Sequence, residues 1–143
     1  MNRVLFVCTG NTCRSPIAEA LLKARDVKGV EVKSAGIFAS PGSDASAHAK
    51  KALEEKGINH QHLSNVVDEE LINWATHILT MTMSHKHFVL ERVPEAAGKT
   101  FTLAEFVGHS GDISDPFGGS LSIYRQTLQE IDSFVDKLVN KLK

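Results

Sequence analysis

Ten residues near the start of the chain, "VCTGNTCRSP" at positions 7–16, hold two cysteines, a glycine and an arginine. Cys8 and Arg14 stand six residues apart, with Thr9, Gly10, Asn11, Thr12 and Cys13 between them. An apolar run, "RVLFVC", leads into this stretch and a helix signal, "SPIAEALLKA", leads out of it. A Gly-containing turn that ends in a helix N-terminus offers backbone N–H groups and a positive dipole end, and both attract anions. An arginine at the exit can meet two phosphoryl oxygens at once, which a lysine cannot do. A thiol at the entrance of such a turn is favoured as thiolate. The order thiol, turn, guanidinium therefore implies attack of sulfur on phosphorus while the turn holds the phosphoryl oxygens. Taken singly, Cys8 also reads as a small hydrophobe closing a strand and Arg14 as a surface charge. Their spacing, followed by Ser-Pro opening a helix, favours the chemical reading. With no lysine and only Gly10 inside the turn, the pattern fits neither the dinucleotide fingerprint nor the nucleotide-hydrolase loop.

Something must hold these residues in place, and the rest of the chain reads as strands alternating with helices. "RVLFVC" lacks polar alternation, as expected of a strand buried on both faces. Ser15 offers a helix N-cap, Pro16 suits the first helical position, and Ile17, Leu21 and Ala24 fall on one face. "VEVKSAGIF" reads as a second strand, ended by the breaker cluster "SPGSD". A helix over "DASAHAKKALEEKG", stopped by Gly57, and a short one over "DEELINWA" precede a third strand, "THILTMT". "SHKHFVLERV" is helical again and "KTFTL" is a fourth strand. "GHSGDISDPFGGS" is a loop. From Leu121 onward, Tyr124, Leu128, Ile131, Val135, Leu138 and Leu142 recur at steps of four and three, the stripe of a long amphipathic helix. The expected fold is α/β: a Rossmann-like three-layer sandwich with a central four-stranded parallel sheet and helices on both faces. No repeat or linker interrupts it, so residues 1–143 form one expected domain. In such folds ligands sit at the carboxyl ends of the strands, where the turn after the first strand lies.

Bulk composition narrows the class further. With 143 residues, 42% apolar and 23% charged, the chain has the length and balance of one soluble domain. A net charge of −1 provides no general pull toward nucleic acid or an anionic membrane, so neither is expected as a partner. Val4–Val7 is too short for a signal peptide or a span, which points to the cytoplasm. There thiols stay reduced, and two cysteines in one loop are better read as reactive than structural. The terminal lysines of "DKLVNKLK" read as a solvated helix face, and a monomer is expected.

The stretch "CTGNTCRSPIAE" resembles the C-x5-R-S signature of the low-molecular-weight protein tyrosine phosphatases. "SAG" at 34–36 and "DP" at 115–116 extend the resemblance along the chain. Within that superfamily the sequence looks most like the bacterial protein arginine phosphatases, which carry a "CTGNTCRS" loop and a "DPFGGS" loop. The resemblance implies hydrolysis of phosphoproteins through a phosphocysteine, with Cys8 as nucleophile and Arg14 holding the equatorial oxygens. It makes Asp115 the general acid, residues 9–13 the phosphate-binding loop, Asn11 the loop's brace and Ser15 a donor to the Cys8 sulfur. Chemistry gives Asp115 a reason of its own, since the departing atom needs a proton as its bond to phosphorus breaks. Alone, "SDPF" also reads as a plain turn, and Asp112 competes as the acid. Cys13 is either a filler beneath the loop or the partner of Cys8 in a reversible disulfide that protects the nucleophile.

Substrate choice turns on Thr12 and Phe117. Tyrosine-directed relatives usually carry a larger aliphatic residue at the Thr12 position and aromatic rings after the DP pair. A hydroxyl at the pocket wall suits a polar, planar guanidinium, on which Phe117 can stack. Phosphoarginine in proteins is therefore the expected substrate, and phosphotyrosine is the alternative. The remote alternative, a thiol-dependent arsenate reductase, needs relay cysteines that a chain with two cysteines lacks. His60–His62 and His85–His87 lack partners at ligand spacing and read as surface polarity, and Trp74 reads as packing. No metal or organic cofactor is expected.

Overall fold

The computed structural model describes residues 1–142. Four parallel strands form its sheet: β1 (Asn2–Cys8), β2 (Val30–Gly36), β3 (His77–Thr80) and β4 (Thr100–Thr102), in the order β2-β1-β3-β4. β1 lies in the middle, pairing Val4 with Val32 on one side and with His77 on the other. The chain leaves β1 at the point where the strand order reverses, so the turn after Cys8 occupies the crevice that such sheets offer to ligands.

Residues Val4 to Cys8 are all buried because both faces of β1 are covered. Val4 and Phe6 pack toward α1 (Arg14–Ala24), α2 (Ala47–Glu55) and the long C-terminal helix α6 (Leu121–Leu142). Leu5 and Val7 pack toward α3 (Glu69–Trp74) and α4 (Met83–Arg92) on the opposite face. The three expected layers are present. Tyr124, Leu128, Ile131, Val135 and Leu138 of α6 are buried as the stripe required, each contributing roughly 1.5–3 kcal/mol by the apolar surface it removes from water. Arg25, just after α1, anchors α6 from outside through Asp132 (2.7 Å) and Asp136.

Several boundaries differ from the sequence reading. α1 begins at Arg14, preceded by Cys13 with no side-chain cap, so Ser15 lies inside the helix rather than capping it. Pro16 is consequently the third helical residue, still in the first turn, where its missing N–H costs nothing. Ala24 is exposed, while Arg14 through Leu22 are all buried; this helix runs through the core instead of resting on it by one stripe. α2 starts at Ala47 because Ser46, not Asp44, accepts the N–H of Ala49. β2 ends at Gly36, because Ile37 and Phe38 donate their N–H groups to the carbonyls of Cys8 and Thr9 (3.0 and 2.9 Å). A four-residue helix, α5 (Leu103–Phe106), replaces the end of the expected fourth strand, and Thr102 and Glu105 cap it reciprocally.

Candidate functional site

Between β1 and α1 the backbone of residues 9–13 wraps tightly, and each turn of it has a visible cause. Asn11 sits at φ 56°, a left-handed conformation that asparagine tolerates. Its side chain is fully buried, donating to Ser15 Oγ (2.8 Å) and Ser34 Oγ (2.9 Å) and accepting from the Asn65 N–H (2.9 Å). Gly36 lies so close that a Cβ there would stand 2.5 Å from the Thr9 carbonyl oxygen and 2.8 Å from the Asn11 nitrogen. Any side chain at position 36 would push the loop outward.

The loop's carbonyls are taken from outside. Those of Cys8 and Thr9 receive Ile37 and Phe38, that of Asn11 receives His62 Nε2 (2.7 Å) and Ser64 Oγ (2.8 Å), and that of Thr12 receives the Ser46 N–H (2.8 Å). In a planar trans peptide the N–H points opposite to the C=O. Fixing these oxygens outward therefore turns the N–H groups of Thr9, Gly10, Thr12 and Cys13 inward. They face a hollow of about 220 Å³ lined by Cys8, Thr9, Gly10, Thr12, Cys13, Arg14, Asp115 and Phe117. A larger hollow of about 400 Å³, between Leu22 and Trp74, is lined by neither cysteine nor arginine.

Charge in the hollow follows the same logic. The Cys8 sulfur is buried and lies 2.8 Å from Ser15 Oγ. Because Asn11 Nδ2 can only donate, it occupies the Ser15 oxygen as acceptor and leaves the hydroxyl hydrogen for the sulfur. Arg14 is 4% exposed, and the carbonyl of Ile113 takes one of its five N–H donors at 2.9 Å. Its Nη2 stands 3.6 Å from Asp115 Oδ2, wider than a hydrogen bond. A guanidinium this buried and this incompletely partnered suits an anion between itself and the loop amides. Asp115 is half exposed and is held by the Phe117 N–H on its Oδ1 (3.0 Å). Asp112, the competing acid, instead accepts the Met83 N–H at 2.9 Å, at the start of α4. Phe117 stands out into solvent at 77% exposure, and Thr12, half-buried, lines the same hollow. Cys13 points beneath the loop, 3.3 Å from the Tyr124 hydroxyl, and both cysteines are free thiols.

The histidines correct the sequence reading, since three of the four are not surface groups. His85 is buried, with Nε2 2.9 Å from the Thr9 hydroxyl; burial, then the Arg14 charge, pushes its pKa down to about 4. It is neutral at physiological pH. His60 and His62 face the Glu19 carboxylate, each 3.5 Å from Oε1, and only His87 is exposed. Burial alone would raise the Glu19 pKa, yet His60, His62, Ser34 and Lys23 together hold it well below the usual carboxylate range. Ser34 donates to that carboxylate at 2.6 Å while accepting from Asn11. A polar chain thus runs from Glu19 through Ser34, Asn11 and Ser15 to the Cys8 sulfur. Sequence reasoning missed Glu19, Ser34, His62 and Asn65. One signal was available: Glu19 falls among Ile17, Ala18, Ala20 and Leu21, where a charge on a buried helix demands partners.

A thiol beneath a ring of backbone amides, flanked by a buried arginine and a half-exposed carboxylate, is the constellation of cysteine-dependent phosphate chemistry. Residues 3–143 match the family described as low molecular weight phosphotyrosine protein phosphatase, and the chain belongs to that family. It is 56% identical over 142 residues to a protein-arginine-phosphatase of Geobacillus stearothermophilus, spanning 99% of this chain and 96% of the relative. A protein-arginine-phosphatase of Bacillus subtilis (strain 168) is 47% identical, spanning 98% of this chain and 96% of its own. Among solved structures, an arginine phosphatase variant with a phosphorylated active-site serine superposes with a TM-score of 0.95. It is 46% identical and covers 98% of this chain and 95% of its own.

Proposed function

We propose that this protein is a protein arginine phosphatase that removes the phosphoryl group from phosphoarginine in proteins through a phosphocysteine on Cys8. The observation that carries the reaction class is the hollow in which a Ser15-bonded thiol, inward amides, Arg14 and Asp115 surround one space. The Cys8 sulfur attacks phosphorus while loop amides and Arg14 hold the equatorial oxygens, as the charge of a transferring phosphoryl group requires. The P–N bond breaks as Asp115 gives its proton to the departing guanidine nitrogen. Asp115 then takes a proton from water, the water oxygen attacks phosphorus, and the S–P bond breaks to release phosphate and restore the thiolate. Ser15 stabilises the sulfur both as nucleophile and as leaving group. No metal or organic cofactor takes part in these steps.

Phosphoarginine is favoured over phosphotyrosine by the wall of the hollow and by the names of the 56% and 47% identical relatives. The phosphoryl group sits in the loop whichever residue carries it, so choice belongs to the groups around the leaving atom. Thr12 offers a hydroxyl there, and Phe117 an exposed ring on which a guanidinium plane can stack. Thr12→Ile keeps the branched shape and removes the hydroxyl. The ratio of kcat/KM for phosphoarginine over phosphotyrosine peptides is expected to fall at least about tenfold, or ~1.4 kcal/mol. An unchanged ratio in paired steady-state assays would remove Thr12 from substrate choice.

The same reading makes the enzyme a cytoplasmic monomer without nucleic-acid or membrane partners, in keeping with its near-neutral charge. Among the described residues no helix is long and apolar enough to cross a membrane. Cys13, sharing the loop with Cys8, is the thiol that would capture an oxidised Cys8 as a reversible disulfide.

A further inference from the structure

Behind the phosphate loop, away from the hollow, Glu19 Oε1, His60 Nε2 and His62 Nδ1 converge so that all three atoms lie within 4.8 Å of one another. The hydrogen bonding around them leaves a gap in the charge pattern. His62 Nε2 lies 2.7 Å from the Asn11 carbonyl oxygen, which can only accept, so Nε2 carries the proton. A neutral His62 then presents the bare lone pair of Nδ1 toward Glu19 Oε1 at 3.5 Å. His60 Nε2, on a side chain nine-tenths buried, lies equally near that oxygen and has no hydrogen-bond partner. One ring nitrogen turned bare toward a carboxylate and a second, unpartnered one beside it make a nearly dry site fitted to a cation. Ligands ~2.0–2.2 Å from a tetrahedral zinc stand roughly 3.3–3.6 Å apart, which matches both histidine–carboxylate spacings.

We infer that Glu19, His60 and His62 form a binding site for a zinc-class divalent metal, separate from the catalytic hollow. Two imidazoles and one carboxylate suit zinc and its first-row neighbours and do not suit magnesium, which prefers oxygen. Lys23 occupies the other carboxylate oxygen at 3.0 Å, so Oε1 is the ligand atom. The surrounding bonds already have the form of a supporting shell. His62 binds the loop carbonyl through its second nitrogen, and Ser34 links the carboxylate to Asn11. A metal here fixes the His62 tautomer that the phosphate loop requires and ties α1, the 60–65 segment and the loop together.

The test is isothermal titration of zinc chloride into the full chain carrying Cys8→Ser and Cys13→Ser, which removes both thiols as competing ligands. One zinc per chain is expected in the micromolar range or tighter, with no measurable magnesium binding. His60→Ala should weaken zinc at least about tenfold, and His87→Ala, at an exposed histidine outside the cluster, should leave it unchanged. Zinc should also move the ring-nitrogen NMR signals of His60 and His62 together in the chain with the cluster intact, a readout independent of how the His60 variant folds. A folded chain that binds no zinc, zinc binding untouched by His60→Ala, or His60 and His62 signals that zinc does not move would overturn the site.

Discussion

Cys8→Ser is expected to abolish multiple turnover, lowering kcat by at least about 10⁴-fold, while phosphate affinity stays within a few-fold of the parent. The two halves of this expectation have different physical origins. Turnover needs sulfur, because a serine hydroxyl is far less acidic and its phosphate ester is far harder for water to cleave than a phosphothiol. Binding needs the inward amides and Arg14, which the substitution leaves untouched, and Ser15 and Asn11 still brace the loop. At most one phosphoryl group per chain is expected to transfer, in line with the phosphorylated active-site serine of the structural relative. Steady-state release of phosphate, with phosphate titration alongside, reads both. Sustained turnover in the variant would mean the reaction does not pass through Cys8.

Asp115→Asn carries the second large effect, and its diagnostic value lies in a contrast between substrates. A phosphoarginine or phosphotyrosine peptide must receive a proton on its leaving atom, so kcat should fall about 10²–10⁴-fold. An activated ester such as p-nitrophenyl phosphate leaves without that help and should lose much less. The geometry favours this residue because the carboxylate is half exposed at the mouth, 3.6 Å from Arg14, whereas Asp112 is tied to the Met83 N–H. Equal losses on both kinds of substrate would assign the proton to another group.

That Cys8, Arg14 and Asp115 line one hollow was legible in the sequence, for two different reasons. Cys8 and Arg14 belong to one local turn whose backbone path is set by neighbours in the chain, whereas Asp115 stood out only through the resemblance, since "SDPF" alone reads as a turn. The sheet was readable too, since the uninterrupted apolar run of β1 requires cover on both faces, and the α6 stripe requires a body to rest on. What escaped depends on contacts between distant segments. Glu19 meets Ser34 fifteen residues on and His85 meets Thr9 across seventy-six, and no periodicity encodes such pairs. His60 and His62 looked like surface groups because their partner, Glu19, lies on another element. For Ser15 the contact with the Cys8 sulfur that the resemblance implied is present, and only its reading as a helix cap fails. A local rule assigned it to a helix cap, and the demand of the Cys8 sulfur for a donor placed it inside α1 instead. α5 went unread because four residues are too few for a helical period, although the Thr102–Glu105 capping pair marked its start.

A cysteine-centred cradle directed at phosphoarginine should show that preference in the rates of the unmodified enzyme. The unmodified enzyme should be assayed side by side on peptides of matched sequence carrying phosphoarginine, phosphotyrosine or phosphoserine. The expected kcat/KM is highest for phosphoarginine, exceeding phosphotyrosine by at least about tenfold, or ~1.4 kcal/mol of transition-state preference, with phosphoserine lowest. A preference for phosphotyrosine, or equal rates on it and phosphoarginine, would contradict the arginine assignment and make this a tyrosine-directed or unselective member of its family.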